Sequence, residues 1–138
     1  MASRRKSREL ALQMLFQWDL GGHAPEHILS TFLTVQTGGE EVKEFARRLF
    51  EGTVREVPAL DPQLRAGSEH WRLERTSAVD RNVLRLALYE LLHCPETPPA
   101  AVMNEALELA RRFSGEDSVE FVNGVLDAVR KKSADGMR

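Results

Sequence analysis

The chain has 138 residues, 42% of them hydrophobic and 29% charged, and a net charge of −2. That composition belongs to an ordinary globular protein with one real core, so residues 1–138 read as a single domain, and disorder or bulk polyanion binding through net charge is excluded. No apolar run approaches the roughly 20 residues needed to cross a bilayer, and the lone Cys94 staples nothing within the chain.

The N-terminus does not read as a signal peptide, and together with the cysteine count this points to a reducing, cytoplasmic setting. Charge is unevenly placed. Arg4, Arg5, Lys6 and Arg8 all precede the first of the 21 acidic residues. Such a cluster is either a basic patch on an acidic body or a solvated terminus, and charge alone does not separate the two.

Apolar residues in the first segment, about 3 to 20, recur at helical spacing through Ala11, Met14, Leu15 and Trp18, with Leu12 and Phe16 widening the stripe until Gly21-Gly22. Pro25 suits a first helical turn, and Ile28, Leu29, Phe32 and Leu33 repeat the pattern up to Gly38-Gly39. Val42, Phe45, Ala46, Leu49, Phe50 and Val54 give the cleanest amphipathic helix, expected to end before Pro58. Asp61-Pro62 then reads as an N-cap and first turn of a short helix through Leu64, broken near Gly67.

Val79, Val83, Leu84, Ala87, Leu88, Leu91 and Leu92 form a helix apolar enough to be central to the core. Pro95, Pro98 and Pro99 separate it from a helix whose face runs Val102, Met103, Ala106, Leu107, Ala110 and Phe113, with Glu108 and Arg112 as an outer i,i+4 pair. Trp18 and Trp71 are expected in the core.

The last segment poses a conflict. Asn123-Gly124 between apolar residues is a strong hairpin signal. A hairpin needs period-2 alternation, yet Val119, Val122, Leu126 and Val129 step by three and four. A mid-helix glycine costs roughly 1 kcal/mol, whereas each buried aliphatic side chain contributes roughly 1.5–3 kcal/mol, so a helix is expected. The glycine would then permit close approach of a neighbouring helix. Gly115 suits the C′ position closing the preceding helix, and Glu116 and Asp117 suit the start of the last one. No segment reads as a convincing strand, and about seven helices with short links define an all-α bundle.

Catalytic signatures are missing from the sequence. His23, His27, His70 and His93 are scattered without a third metal ligand near any pair, and Cys94 lacks the neighbours of a nucleophile. There is no Gly-rich phosphate loop and no Gly-x-Ser-x-Gly elbow. Glu105, Glu108 and Glu120 read as solvated helix faces. Nothing supports an enzyme, a metal or a cofactor.

Four stretches together, "RRKSRELALQMLFQWDL", "VDRNVLRLALYELL", "NEALELARRFSGEDS" and "FVNGVLDAV", resemble the NusB family of bacterial transcription antitermination factors in residues, order and spacing. The resemblance covers most of the chain and is poorest between about 21 and 60. It implies an all-helical fold of two packed sub-bundles and no catalysis. It also implies binding to the boxA element of nascent ribosomal RNA, and a heterodimer with NusE, a small-subunit ribosomal protein. That pair would join NusA and NusG on RNA polymerase.

Single-stranded RNA needs cations for phosphates and planar groups for unstacked bases. Arg4, Arg5, Lys6 and Arg8 answer the first need; if all four met phosphates, the salt slope would be about −0.7 each, or roughly −3. Alanine at Arg4, Arg5 and Arg8 is expected to weaken RNA binding with little change in melting. By resemblance, Phe113 supplies an aromatic surface and Asp117 sits where the family meets RNA, its carboxylate able to accept from base amino groups. The structural alternatives are a core residue for Phe113 and a helix-start residue for Asp117. For NusE, the resemblance points to Phe16, which lacks the hydroxyl of the tyrosine often found there, and to Asp80, with Arg81 either in an ion pair or solvated.

Two other readings stand beside this one. A helical protein–protein adaptor would show no RNA preference. A relative of the RNA-binding domain of ribosomal RNA cytosine methyltransferases would require a cofactor-binding domain, which does not follow before Arg138.

Overall fold

The computed structural model describes residues 4–35, 38–67 and 72–136, apart from the side chains of residue 35 and residues 133–136; His70 and Trp71 lie outside the described residues. Six α-helices and one 3-10 turn follow in order: α1 (Arg4–Gly21), α2 (Pro25–Val35), α3 (Glu40–Ala66), the turn (Leu73–Arg75), α4 (Ala78–His93), α5 (Pro99–Phe113) and α6 (Glu116–Gly136). No strand occurs among the described residues. Helices α1 to α3 form one sub-bundle and α4 to α6 the other, with α1 and α3 both packed on α4. As its composition requires, α4 is the hub, buried without interruption from Asn82 to Glu90. Ser77 caps it by accepting the Asp80 N–H at 3.2 Å.

Helix α6 runs unbroken through Asn123-Gly124 and buries Val122, Val125, Leu126 and Val129, as the period of three and four requires. Gly124 does not perform the packing role expected of it. It is exposed, and a Cβ there would meet nothing within 4 Å. The close approach lies elsewhere, at Gly52 on α3, where a Cβ would fall 2.1 Å from Cζ and Oη of Tyr89 on α4. Tyr89 cannot swing away cheaply, because it is 4% exposed and stacked on His93 with ring centroids 4.9 Å apart.

A second correction concerns α3, which does not stop before Pro58. It continues through both Pro58 and Pro62 to Ala66. The prolines are four residues apart on the exposed side, while Leu60 and Leu64 opposite them are fully buried. A proline inside a helix costs about 3 kcal/mol, and each buried leucine contributes roughly 1.5–3 kcal/mol. A buried ion pair adds to the leucines, since Asp61 accepts Nε and Nη2 of Arg85 on α4 at 2.9 and 2.8 Å. Long-range packing overrides the local breaker.

Arg85 extends a polar network across the two sub-bundles. Asp19, near the end of α1, accepts Nε and Nη2 of Arg81 at 2.8 and 2.6 Å and Nδ2 of Asn82 at 3.0 Å, with Arg85 at 3.5 Å. Burial alone would raise the Asp19 pKa, but the hydrogen bonds from Arg81 and Asn82 and the charges of Arg81 and Arg85 outweigh it and hold the carboxyl below its ordinary value.

Two outcomes follow. Gly52→Ala should lower the unfolding free energy by about 1–3 kcal/mol in chemical denaturation, whereas Gly124→Ala, in open space, should raise it by up to about 1 kcal/mol. Because the folded-state pKa of Asp19 is depressed, its stabilisation is present above its ordinary value of 3.8 and is lost as pH falls through the lower folded value. Asp19→Asn should therefore be less stable than wild type at neutral pH and lose less further stability on acidification below about pH 4, measured by melting across a pH series.

Candidate binding surface

The four basic residues at the head of α1 do not stand alike. Arg8 is 5% exposed and gives Nε and Nη2 to the two carboxylate oxygens of Glu90 on α4, at 2.9 and 2.6 Å; Glu90 is itself 1% exposed. Burial works against the charge on Arg8, yet pairing with Glu90 outweighs it and raises its pKa. Arg8 is thus an internal strut, which corrects its expected place among the phosphate-facing cations. Arg4 is exposed, its guanidinium carbon 3.7 Å above the Phe45 ring centroid. Lys6 is exposed as well.

Arg5 reaches across to α5, where Nε and Nη2 meet the Glu105 carboxylate at 3.2 and 3.0 Å. Glu105 also stands 3.5 Å from Arg8 and is only 19% exposed, so it is no solvated face, contrary to the reading of that acid from spacing alone. Nor does Arg112 pair with Glu108. It gives Nη1 to Glu9 of α1 at 2.7 Å, while Glu108 pairs with Arg111. Two ion pairs, Arg5–Glu105 and Glu9–Arg112, therefore tie the first two turns of α1 to α5.

The second pair brings Glu9, which follows the cationic stretch, beside the α5–α6 junction. Phe113, next to Arg112, is 36% exposed, and the Arg112 guanidinium carbon is 5.9 Å from its ring centroid. The helix ends there because Gly115, at φ +144°, turns the chain and returns its N–H to the Ala110 carbonyl at 2.9 Å. Asp117, in the first turn of α6, is exposed, and no partner for its carboxylate occurs among the described residues.

A groove of about 370 Å³ opens on the same side, lined by Leu12, Gln13, Phe16, Gln17, Phe32, Val79 and Phe113. Phe16 is 39% exposed within it. The other two expected partner contacts are placed differently. Asp80 is 9% exposed and accepts the Ser118 hydroxyl at 2.9 Å, with its Oδ1 buried and without a hydrogen-bond partner among the described residues. Arg81 is bound to Asp19 and donates Nη1 to the Thr76 carbonyl at 2.8 Å. Both brace the base of α4 and offer no free charge outward. Residues missed from the sequence are Glu9, Glu105 and Arg112, and the groove residues Phe32 and Val79. The available signal for Glu105 was its place at the border of the Val102–Ala106–Leu109 face, where an acid is within reach of a neighbouring helix.

A charged rim thus adjoins an aromatic groove on a small all-helical frame. The profile of the NusB family matches residues 5–131. Over 131 residues the chain is 49% identical to the transcription antitermination protein NusB of Koribacter versatilis, covering 94% of this chain and 90% of that protein. The solved structure of T. maritima NusB superposes with a TM-score of 0.86 at 39% identity, over 95% of this chain and 93% of that one. A structure of antitermination factors NusB and NusE in complex with double-stranded RNA gives 0.85 at 28% identity, over 94% and 96%. The chain belongs to the NusB family.

Arg8→Ala would leave Glu90 charged and uncompensated in the core, a loss of about 3–5 kcal/mol, or on the order of 10 °C in melting. Arg4→Ala should cost less than about 1 kcal/mol, and the two thermal transitions measured side by side separate the strut from the surface cation.

Proposed function

We propose that the protein is a transcription antitermination factor of the cytoplasm, without catalytic activity. It acts as one RNA-binding helical domain that holds single-stranded boxA of nascent ribosomal RNA together with NusE, within an assembly with NusA, NusG and RNA polymerase. The observation that carries this reading is the position of Phe113, exposed at the α5–α6 junction and tied through Arg112 and Glu9 to the cationic head of α1. The names of the relatives and the NusB–NusE–RNA structure support it.

The chemistry follows from that juxtaposition. An unstacked base lies on the Phe113 ring, and the Asp117 carboxylate accepts from a base amino group, selecting among bases while opposing indiscriminate phosphate attraction. Arg4, Lys6 and the outer edge of Arg5 take phosphates. The groove around Phe16 and Phe113 takes apolar side chains of NusE. Because Phe16 carries no hydroxyl, its contribution there is by burial and not by hydrogen bonding.

Labelled boxA RNA titrated against a scrambled sequence, with and without NusE, tests the proposal. Preference for boxA, strengthened by NusE, is expected. Phe113→Ala should weaken boxA binding by about tenfold, the loss of one base stack, and Asp117→Asn should alter affinity or selectivity without shifting the melting temperature. With Arg8 held by Glu90 and the Arg5 fork turned onto Glu105, Arg4 and Lys6 remain as the full phosphate contacts and the salt slope should be about −1.4. Binding that ignores both sequence and NusE would instead identify a helical adaptor.

A further inference from the structure

The guanidiniums of Arg5 and Arg112 point outward, at 59% and 63% side-chain exposure, and each is held from the inner side by a carboxylate. Glu105 and Glu9 are the inner partners, at 19% and 9%. Two of these acids and two of these bases thus cancel at contact distance along the rim. Arg8 is likewise neutralised by Glu90. Of the four cations at the head of α1, two, Arg5 and Arg8, are thus offset by acids in space.

The geometry matters as much as the sum. Arg5 turns its Nε–Nη2 edge onto Glu105, and that same edge is the fork that grips a phosphate with two parallel hydrogen bonds. A phosphate arriving alone meets only the remaining edge of the guanidinium, or must displace a carboxylate that is largely buried. An anion about 3 Å away lies well inside a Debye length of roughly 8 Å, so salt does not hide it from the incoming strand. Generic polyanion binding comes almost wholly from phosphate contacts. Stacking on Phe113 and donation to Asp117 do not pass through this fork.

Resting on the RNA-binding reading above, we infer that Glu105 is a specificity-determining residue: an internal anion that occupies the Nε–Nη2 edge of Arg5 and so suppresses binding of unrelated RNA, while Glu9 offsets the charge of Arg112 through a single bond from Nη1. The surface then distinguishes its target more by base contacts, because the Arg5 fork is withheld from strands that offer only phosphates.

Fluorescence anisotropy of the full chain and its Glu105→Gln variant, with labelled dodecauridylate and with boxA RNA across a salt series, tests this. One released guanidinium adds about 0.7 to the magnitude of the salt slope, and at 0.1 M salt it tightens dodecauridylate binding about fivefold. The ratio of boxA to dodecauridylate affinity should shrink accordingly, and adding Arg5→Ala to Glu105→Gln should erase the gain. Dodecauridylate binding that is unchanged or weaker in Glu105→Gln overturns the inference, as does a gain that survives Arg5→Ala. Should Glu105→Gln fold poorly, Glu9→Gln releases Arg112 and is read by the same slope. Failure of the functional reading looks different: the wild-type chain would not prefer boxA to a scrambled sequence, while the comparison on dodecauridylate would still decide the role of Glu105.

Discussion

The ion pair between Arg8 and Glu90 is the constraint on which the arrangement depends. Both side chains are almost completely buried, and both guanidinium donors facing the acid are used. A buried pair of this kind adds little net stability over apolar residues of the same size, but it tolerates only one alignment, since any displacement leaves a charge alone in the core. It therefore fixes α1 against α4 in rotation and in height. With α1 so fixed, Arg5 and Glu9 fall opposite Glu105 and Arg112 of α5, and the rim assembles as a consequence.

The same logic extends to the other end of α1. Asp19, Arg81, Asn82, Arg85 and Asp61 link α1, α4 and α3 through hydrogen bonds among charged groups and one amide. The α3–α4 crossing is held short by the absence of a side chain at Gly52. Polar pairs set the register and the leucines supply the burial. The exposed aromatic residues, Phe16 and Phe113, are left to face outward from a frame that has little freedom to rearrange around them.

Most of the fold was legible because it is written in local periodicity. The apolar steps of three and four predicted α6 through Asn123-Gly124, and Gly115 marked the α5 terminus. What was not legible depends on partners distant in sequence. Pro58 signalled a stop and Asp61-Pro62 a new start, both of which Leu60, Leu64 and Asp61 override through contacts with other helices. Arg8 and Arg5 look alike within "RRKSRE", yet one is sealed beneath Glu90 and the other stands on the surface, a difference created by residues 82 and 100 positions away. Asp80 and Arg81 lie at the base of α4 as expected but are engaged inward. Charge counts along a chain do not foretell which charges cancel.

Phe113 belongs at once to the groove beside Phe16 and to the rim beside Arg112. One ring thus borders two surfaces, so a molecule on either of them touches the same side chain. If RNA and a protein partner occupy those surfaces together, the help each lends the other must be equal in free energy, whichever arrives first.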